Sequence, residues 1–128
     1  MITRLAVFDM AGTTVKDKGN VADSFLSAFN AHGIDLPRAE VQAVMGYRKI
    51  EAIEMLLRDI ALEKAGDKAL IHAIHDDFER IMLEYYMSDQ ELAPLPFAEE
   101  LFQWLQARGV KVALNTGFTR NITEGILY

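Results

Sequence analysis

Leu5-Ala6-Val7-Phe8-Asp9-Met10-Ala11-Gly12-Thr13-Thr14 is a short apolar run that ends on a carboxylate and breaks into small residues. Four apolar residues bounded by a turn signal read as a buried strand. Ala11 to Thr14 hold the glycine and small polar residues that a tight loop needs. A second run, Val110-Lys111-Val112-Ala113-Leu114, ends in Asn115-Thr116-Gly117 and reads the same way. Before it, Phe97 to Ala107 carries Leu101, Phe102 and Leu105 at helical spacing, with Gly109 at its end. A strand, a crossover helix and a second strand make a parallel α/β layer. Open sheets of this kind bind ligands at the carboxyl ends of their strands, where Asp9 and Thr116 both fall.

The segment between the strands is helical. Asp17 to Asn20 reads as a polar linker, followed by a helix with Val21, Phe25, Ala28 and Phe29 on one face and His32-Gly33 at its end. Pro37 opens a second helix that stops near Gly46. Tyr47 to Asp59 continues with Ile50, Ile53, Leu56, Leu57 and Ile60, and Gly66 punctuates. Asp67 to about Met87 is the longest amphipathic stretch, and Pro94 and Pro96 then break the chain. Such a block is too long for a simple crossover and reads as an insertion, a cap over the strand ends. The expected division is 1–17 with 93–128 as the α/β core and 18–92 as the helical cap. Phe118 to Leu127 would form a last helix, capped by Thr119 or Asn121.

Composition narrows the function classes. The 128 residues are 51% hydrophobic and 25% charged, an ordinary globular balance. There is no cysteine, which excludes disulfides, cysteine-ligated zinc and a thiol nucleophile. Thirteen Lys+Arg against 19 Asp+Glu leave a net charge of −6, so a broad nucleic-acid-binding surface is not expected. The apolar runs are too short to span a bilayer and the N-terminus lacks the pattern of a signal peptide. The expectation is a cytoplasmic protein with no membrane partner.

Asp9 carries the first chemistry. A carboxylate at a strand's end can attack phosphorus, with the turn's N–H groups holding the other oxygens. Its ordinary alternative is a loop aspartate that caps its own turn. Phe8-Asp9-Met10-Ala11-Gly12-Thr13-Thr14 resembles the first motif of the haloacid dehalogenase superfamily of Asp-nucleophile phosphotransferases. Leu114-Asn115-Thr116-Gly117 resembles its second motif, in which a Thr or Ser hydroxyl holds the transferred phosphoryl group. The helical block matches the family's cap insertion, and the resemblance covers essentially the whole chain. It implies a Rossmann-like parallel-sheet core, of which only the N-terminal part is present, with an inserted α-helical cap domain.

Ala11 selects a branch. Most phosphatases of the superfamily carry a second Asp at this position, which protonates the leaving alkoxide. Alanine resembles the phosphonatase-like branch, whose members break a C–P bond, so that no alkoxide leaves. The branch uses a cap lysine to form a Schiff base with the substrate's carbonyl. Met45-Gly46-Tyr47-Arg48-Lys49-Ile50 resembles the segment that carries this lysine, and Lys49 falls at the matching place. The amine must be partly neutral to attack, a state that burial and a neighbouring cation such as Arg48 both favour. An arbitrary lysine is instead solvated on a helix's first turn. Thr116-Gly117-Phe118-Thr119-Arg120 resembles the branch's sequence after the second strand, with Phe118 where the branch has Tyr and Ala52 where it has a His.

The resemblance implies Asp9 and Lys49 as catalytic residues. Gly12, Thr13, Gly46, Thr116 and Gly117 are implied in substrate or phosphate binding. It also implies Mg²⁺ as cofactor, held by Asp9 and a carbonyl of Met10 or Ala11, by family pattern Ala11. The substrate would be a small phosphonate or phosphorylated molecule. Superfamily chains continue past the second motif with further phosphate and metal ligands, so this sequence is expected to be a piece of a longer chain. Two strands leave a sheet edge that a homodimer or further chain would cover. Two other readings stand beside this one: a phosphomonoester phosphatase without imine chemistry, and a non-catalytic truncated module. His32, His72 and His75 have no assigned role, His72 and His75 reading as helix-surface residues. Trp104 and Phe25, Phe29, Phe78 and Phe102 read as core.

Overall fold

The computed structural model describes residues 2–88 and 92–127, and they form two compact units. The first holds strand β1 (Leu5–Asp9), helix α5 (Ala98–Gln106) and strand β2 (Lys111–Asn115). The second holds α1 (Asn20–Asn30), α2 (Arg38–Ala43), α3 (Lys49–Ile60), a 3₁₀ turn at Leu62–Lys64, α4 (Lys68–Ser88) and α6 (Arg120–Leu127). Among the described residues no helix is long and apolar enough to cross a membrane.

In the first unit β1 and β2 pair in parallel, from Leu5 opposite Lys111 to Asp9 opposite Asn115. Alternation along β1 turns Phe8 toward α5, where its ring meets Phe102 at 5.3 Å. Leu5 and Val7 are 54% and 56% exposed, which corrects the expectation of a buried strand. The physical reason is that α5 covers one face of a two-stranded sheet and the pleat sends Leu5 and Val7 to the other. Trp104 also departs from expectation. It lies on the outer side of α5, 52% exposed, with the Arg108 guanidinium 3.8 Å from its ring centroid. Phe97 does not begin the helix: it takes φ 68 at the N-cap, and α5 starts at Ala98.

In the second unit α4 packs against α1, α3 and α6. Its inward residues Ile74, Phe78 and Met82 are fully buried, as are Phe25 and Phe29 of α1 and Ile53, Leu56 and Leu57 of α3. The Phe25 and Phe78 rings stack at 4.5 Å between centroids, which adds about 0.5–1.5 kcal/mol beyond area burial. The expected division gave everything from residue 93 onward to the strands; here the chain from Gly117 onward groups with the helices. Ile122 of α6 is fully buried, and the Thr119 hydroxyl donates to the Glu79 carboxylate of α4. Thr119 also accepts from the Ile122 N–H at 3.5 Å, so of the two expected caps it is the one used.

The histidines settle into structural places. His32 Nε2 lies 2.8 Å from the Asp77 carboxylate and ties the end of α1 to α4. His75 is not a surface residue, with its side chain 13% exposed. The hydrogen bond from His32, aided by Arg80, holds the Asp77 carboxyl below its ordinary value despite partial burial. A depressed folded-state pKa adds stability that is present at neutral pH and is lost as pH falls through that pKa. Asp77→Asn is therefore expected to unfold less steeply in acid than the parent while being slightly less stable at neutral pH. Chemical denaturation across the carboxylate range would show it, and parallel curves would exclude the contribution.

Candidate active site

The turn after β1 is built around one carbonyl. Met10 O accepts the N–H groups of Thr13, Thr14 and Val15 at 2.9–3.0 Å, and Gly12 N donates back to Val15 O at 2.8 Å. Gly12 takes φ 75, a value open to glycine at no steric cost, which lets the chain reverse in four residues. The Thr14 hydroxyl, buried, donates to the Asp9 carbonyl at 2.9 Å. The turn is fastened to the segment ahead of α5, by Lys16 N to Ala93 O at 3.0 Å and Leu95 N to Thr14 O at 2.9 Å.

The result is an exposed Asp9 carboxylate at the carboxyl end of β1, with Thr13 Oγ1 donating to its Oδ2 at 3.4 Å. Because Asp9 stands opposite Asn115, Thr116 follows directly past the matching end of β2. The strand unit thus gathers Asp9, Ala11, Gly12, Thr13 and Thr116 at one end of its sheet. An exposed carboxylate of this kind can act as a nucleophile toward an electrophilic phosphorus.

A Mg²⁺ ion prefers six oxygens in octahedral array and commonly takes one or two carboxylates plus water and substrate oxygens. Met10 O is spent on three amides, whereas no backbone N–H among the described residues donates to Ala11 O. Of the two carbonyls, Ala11's is therefore the one able to accompany Asp9. Among the described residues no group of three or more His, Asp or Glu could hold a metal ion. The described residues fit part of a Mg²⁺ shell and do not complete one.

The helical unit holds the other group. Lys49 is the first residue of α3, and it is 4% exposed. Its Nζ donates to Tyr47 O at 3.4 Å and lies 5.3 Å from the Phe118 ring centroid and 5.8 Å from that of Phe25. A buried lysine is rare, so the solvated alternative fails here. Arg48 points elsewhere, 82% exposed and 3.6 Å from Glu51. The expected neighbouring cation is thus turned to solvent, while Lys49 itself is buried. Gly46 takes φ 95 in the loop before Lys49, and Gly117 lies against that loop. Ala52, where a His was noted as the branch's pattern, is fully buried one turn along α3. The contributions of Phe25 and of the Tyr47 carbonyl were not anticipated. Phe25 carried only a core signal, and a backbone acceptor leaves no mark in sequence.

Comparisons with known proteins show the family and the fold. A family model described as haloacid dehalogenase-like hydrolase matches residues 3–128. A phosphonoacetaldehyde hydrolase of Bacillus cereus is 31% identical over 128 aligned positions, covering 92% of this chain and 47% of its own. The crystal structure of a phosphonoacetaldehyde hydrolase like protein from Oleispira antarctica superposes with a TM-score of 0.76 at 29% identity, over 98% of this chain and 48% of that one. A hydrolase from Pseudomonas syringae gives a TM-score of 0.85 over 98% of this chain and 55% of its own; at 17% identity that likeness concerns the fold alone. The chain spans about half the length of the curated relatives it matches. With a family model matching nearly every residue and the motif residues at the matching strand ends, the chain belongs to the haloacid dehalogenase-like hydrolase family.

Proposed function

We propose that the protein takes part in hydrolysis of a carbonyl phosphonate such as phosphonoacetaldehyde, by phosphonatase-like chemistry. The observation that carries this reading is the burial of Lys49 against two aromatic rings at the start of α3. Ala11 supports it, because no acid stands where a phosphate ester's leaving alkoxide would need a proton. The likeness to proteins named phosphonoacetaldehyde hydrolase supports it as well.

In this reading the Lys49 amine adds to the substrate carbonyl and loses water, giving a protonated imine. Asp9 attacks phosphorus, and the C–P bonding pair moves into the imine to leave an enamine. Water then cleaves the aspartyl-phosphate, releasing phosphate. Protonation of the enamine carbon and hydrolysis of the imine release the aldehyde and restore Lys49. Thr116 would hold the phosphoryl oxygens together with the turn at Gly12 and Thr13. A Mg²⁺ ion held by the Asp9 carboxylate and the Ala11 carbonyl, with ligands from outside the described cluster, would offset negative charge between carboxylate and phosphonate.

Incubation with phosphonoacetaldehyde and Mg²⁺, followed by borohydride reduction and peptide mass mapping, tests the imine. A reduced adduct on Lys49 is the expected outcome. Intact substrate and an unmodified Lys49 in folded protein would remove the imine step and favour phosphate-ester chemistry.

A further inference from the structure

Gly117 stands out among the glycines for the space it leaves open. A Cβ built on it would lie 2.6 Å from Tyr47 O, 3.3 Å from Tyr47 C and 3.4 Å from Gly46 O. All three are backbone atoms, which cannot swing aside as a side-chain tip can. Gly117 is not among the positive-φ residues, so glycine is required there for room and not for its dihedral range. Gly125 of α6 makes the contrast: its Cβ would meet only the tip of Leu83, at 3.1 Å.

The carbonyl that Gly117 admits is the one that Lys49 uses. Tyr47 O receives the Lys49 Nζ at 3.4 Å and sits beneath Gly117. The next residue, Phe118, places its ring 5.3 Å from the same Nζ. The segment 117–118 therefore bears on the lysine in two ways, Gly117 by packing on the carbonyl that accepts from it and Phe118 by the ring beside it. Gly46, at φ 95, completes the loop by setting the peptide that follows it.

We propose that Gly117 is a positioning residue for Lys49: its missing side chain lets the loop after β2 close on the Tyr47 carbonyl, which holds the amine against Phe118. The proposal rests on the reading of Lys49 as the imine-forming amine. A methyl group at position 117 forces the two loops apart, because neither backbone can yield locally. Tyr47 O and the Phe118 ring then no longer confine Nζ together, and the amine becomes accessible.

The test is the rate at which Lys49 is methylated by formaldehyde and cyanoborohydride, read by peptide mass in parent, Gly117→Ala, Gly125→Ala and Thr119→Ala. Lys49 is expected to react roughly tenfold faster in Gly117→Ala, as a closed local contact becomes an open one. In Gly125→Ala and Thr119→Ala the rate should stay within about twofold, since these loosen α6 without touching the Tyr47 carbonyl. An unchanged Lys49 rate in folded Gly117→Ala overturns the proposal. An equal rise in all three variants also overturns it, because the effect would then be general loosening of α6. If Gly117→Ala does not fold, Gly46→Ala approaches from the other side. Nothing lies within 4 Å of its Cβ, so it strains the peptide that aims Tyr47 O without a clash, and a faster Lys49 reaction is again expected. The reagent is formaldehyde and not substrate, so a failed imine assignment, read from the phosphonoacetaldehyde trap, stays separate from a failed positioning role.

Discussion

Asp9→Asn is expected to abolish phosphate release from a carbonyl phosphonate while leaving the melting temperature unchanged. An asparagine amide has nearly the shape of the carboxylate but no anionic oxygen to attack phosphorus, and loss of a covalent nucleophile costs on the order of 10⁴–10⁶ in turnover. Stability should not follow. The Asp9 carboxylate is exposed, and its contact with the Thr13 hydroxyl, at 3.4 Å, is at the long limit of a hydrogen bond. The turn is held by groups the substitution does not touch, the Met10 carbonyl and the Thr14 hydroxyl on the Asp9 backbone carbonyl. A surface change of this kind typically moves stability by less than about 0.5 kcal/mol. Phosphate assay and thermal melting on the same preparation separate the two effects. Retained turnover would remove Asp9 as the nucleophile, and a lowered melting temperature would make it a structural cap of its own turn.

Legibility in the sequence follows the range of the interactions. Both strands, the turn after β1 and the helices of the second unit rest on local signals, such as apolar periodicity and Gly12. What those signals miss depends on how many neighbours an element has. Leu5 and Val7 read as buried because their residue types suit a covered parallel strand, but α5 covers only one side of β1. Trp104 falls in a helix whose inward positions are taken by Ala98 and Phe102, so its large ring lies outside and is shielded by Arg108. The last helix falls in the strand unit in the division expected from sequence, yet Thr119 and Gly125 meet α4 and Ile122 is fully buried. At the candidate site, Asp9 and Lys49 were legible as residue types in recognisable segments. The Tyr47 carbonyl and the clearance at Gly117 were not, because a backbone acceptor and an empty volume have no sequence signature.

Lys49→Met is expected to lose C–P cleavage and to melt at the same temperature as the parent or above it. A buried ammonium surrenders hydration worth several kcal/mol. Against this the site offers a long hydrogen bond to Tyr47 O and two ring faces at 5.3 and 5.8 Å. Cation–π contacts of this kind return about 0.5–2 kcal/mol, less than the hydration given up. Methionine fills a similar volume with a flexible apolar chain and leaves no charge to bury. A melting temperature at or above the parent's would mark a lysine kept for a functional demand on the amine and not for the fold. Turnover should fall by at least the 10²–10⁴ or so that a positioned catalytic group commonly contributes. Lys49→Arg keeps the positive charge but cannot form an imine, so it should be equally inactive on a carbonyl phosphonate. Activity retained in Lys49→Arg would reduce the residue to a binder of substrate charge. A lower melting temperature in Lys49→Met would show instead that the lysine is buried for the sake of the fold, held there by the two aromatic rings and the carbonyl of Tyr47.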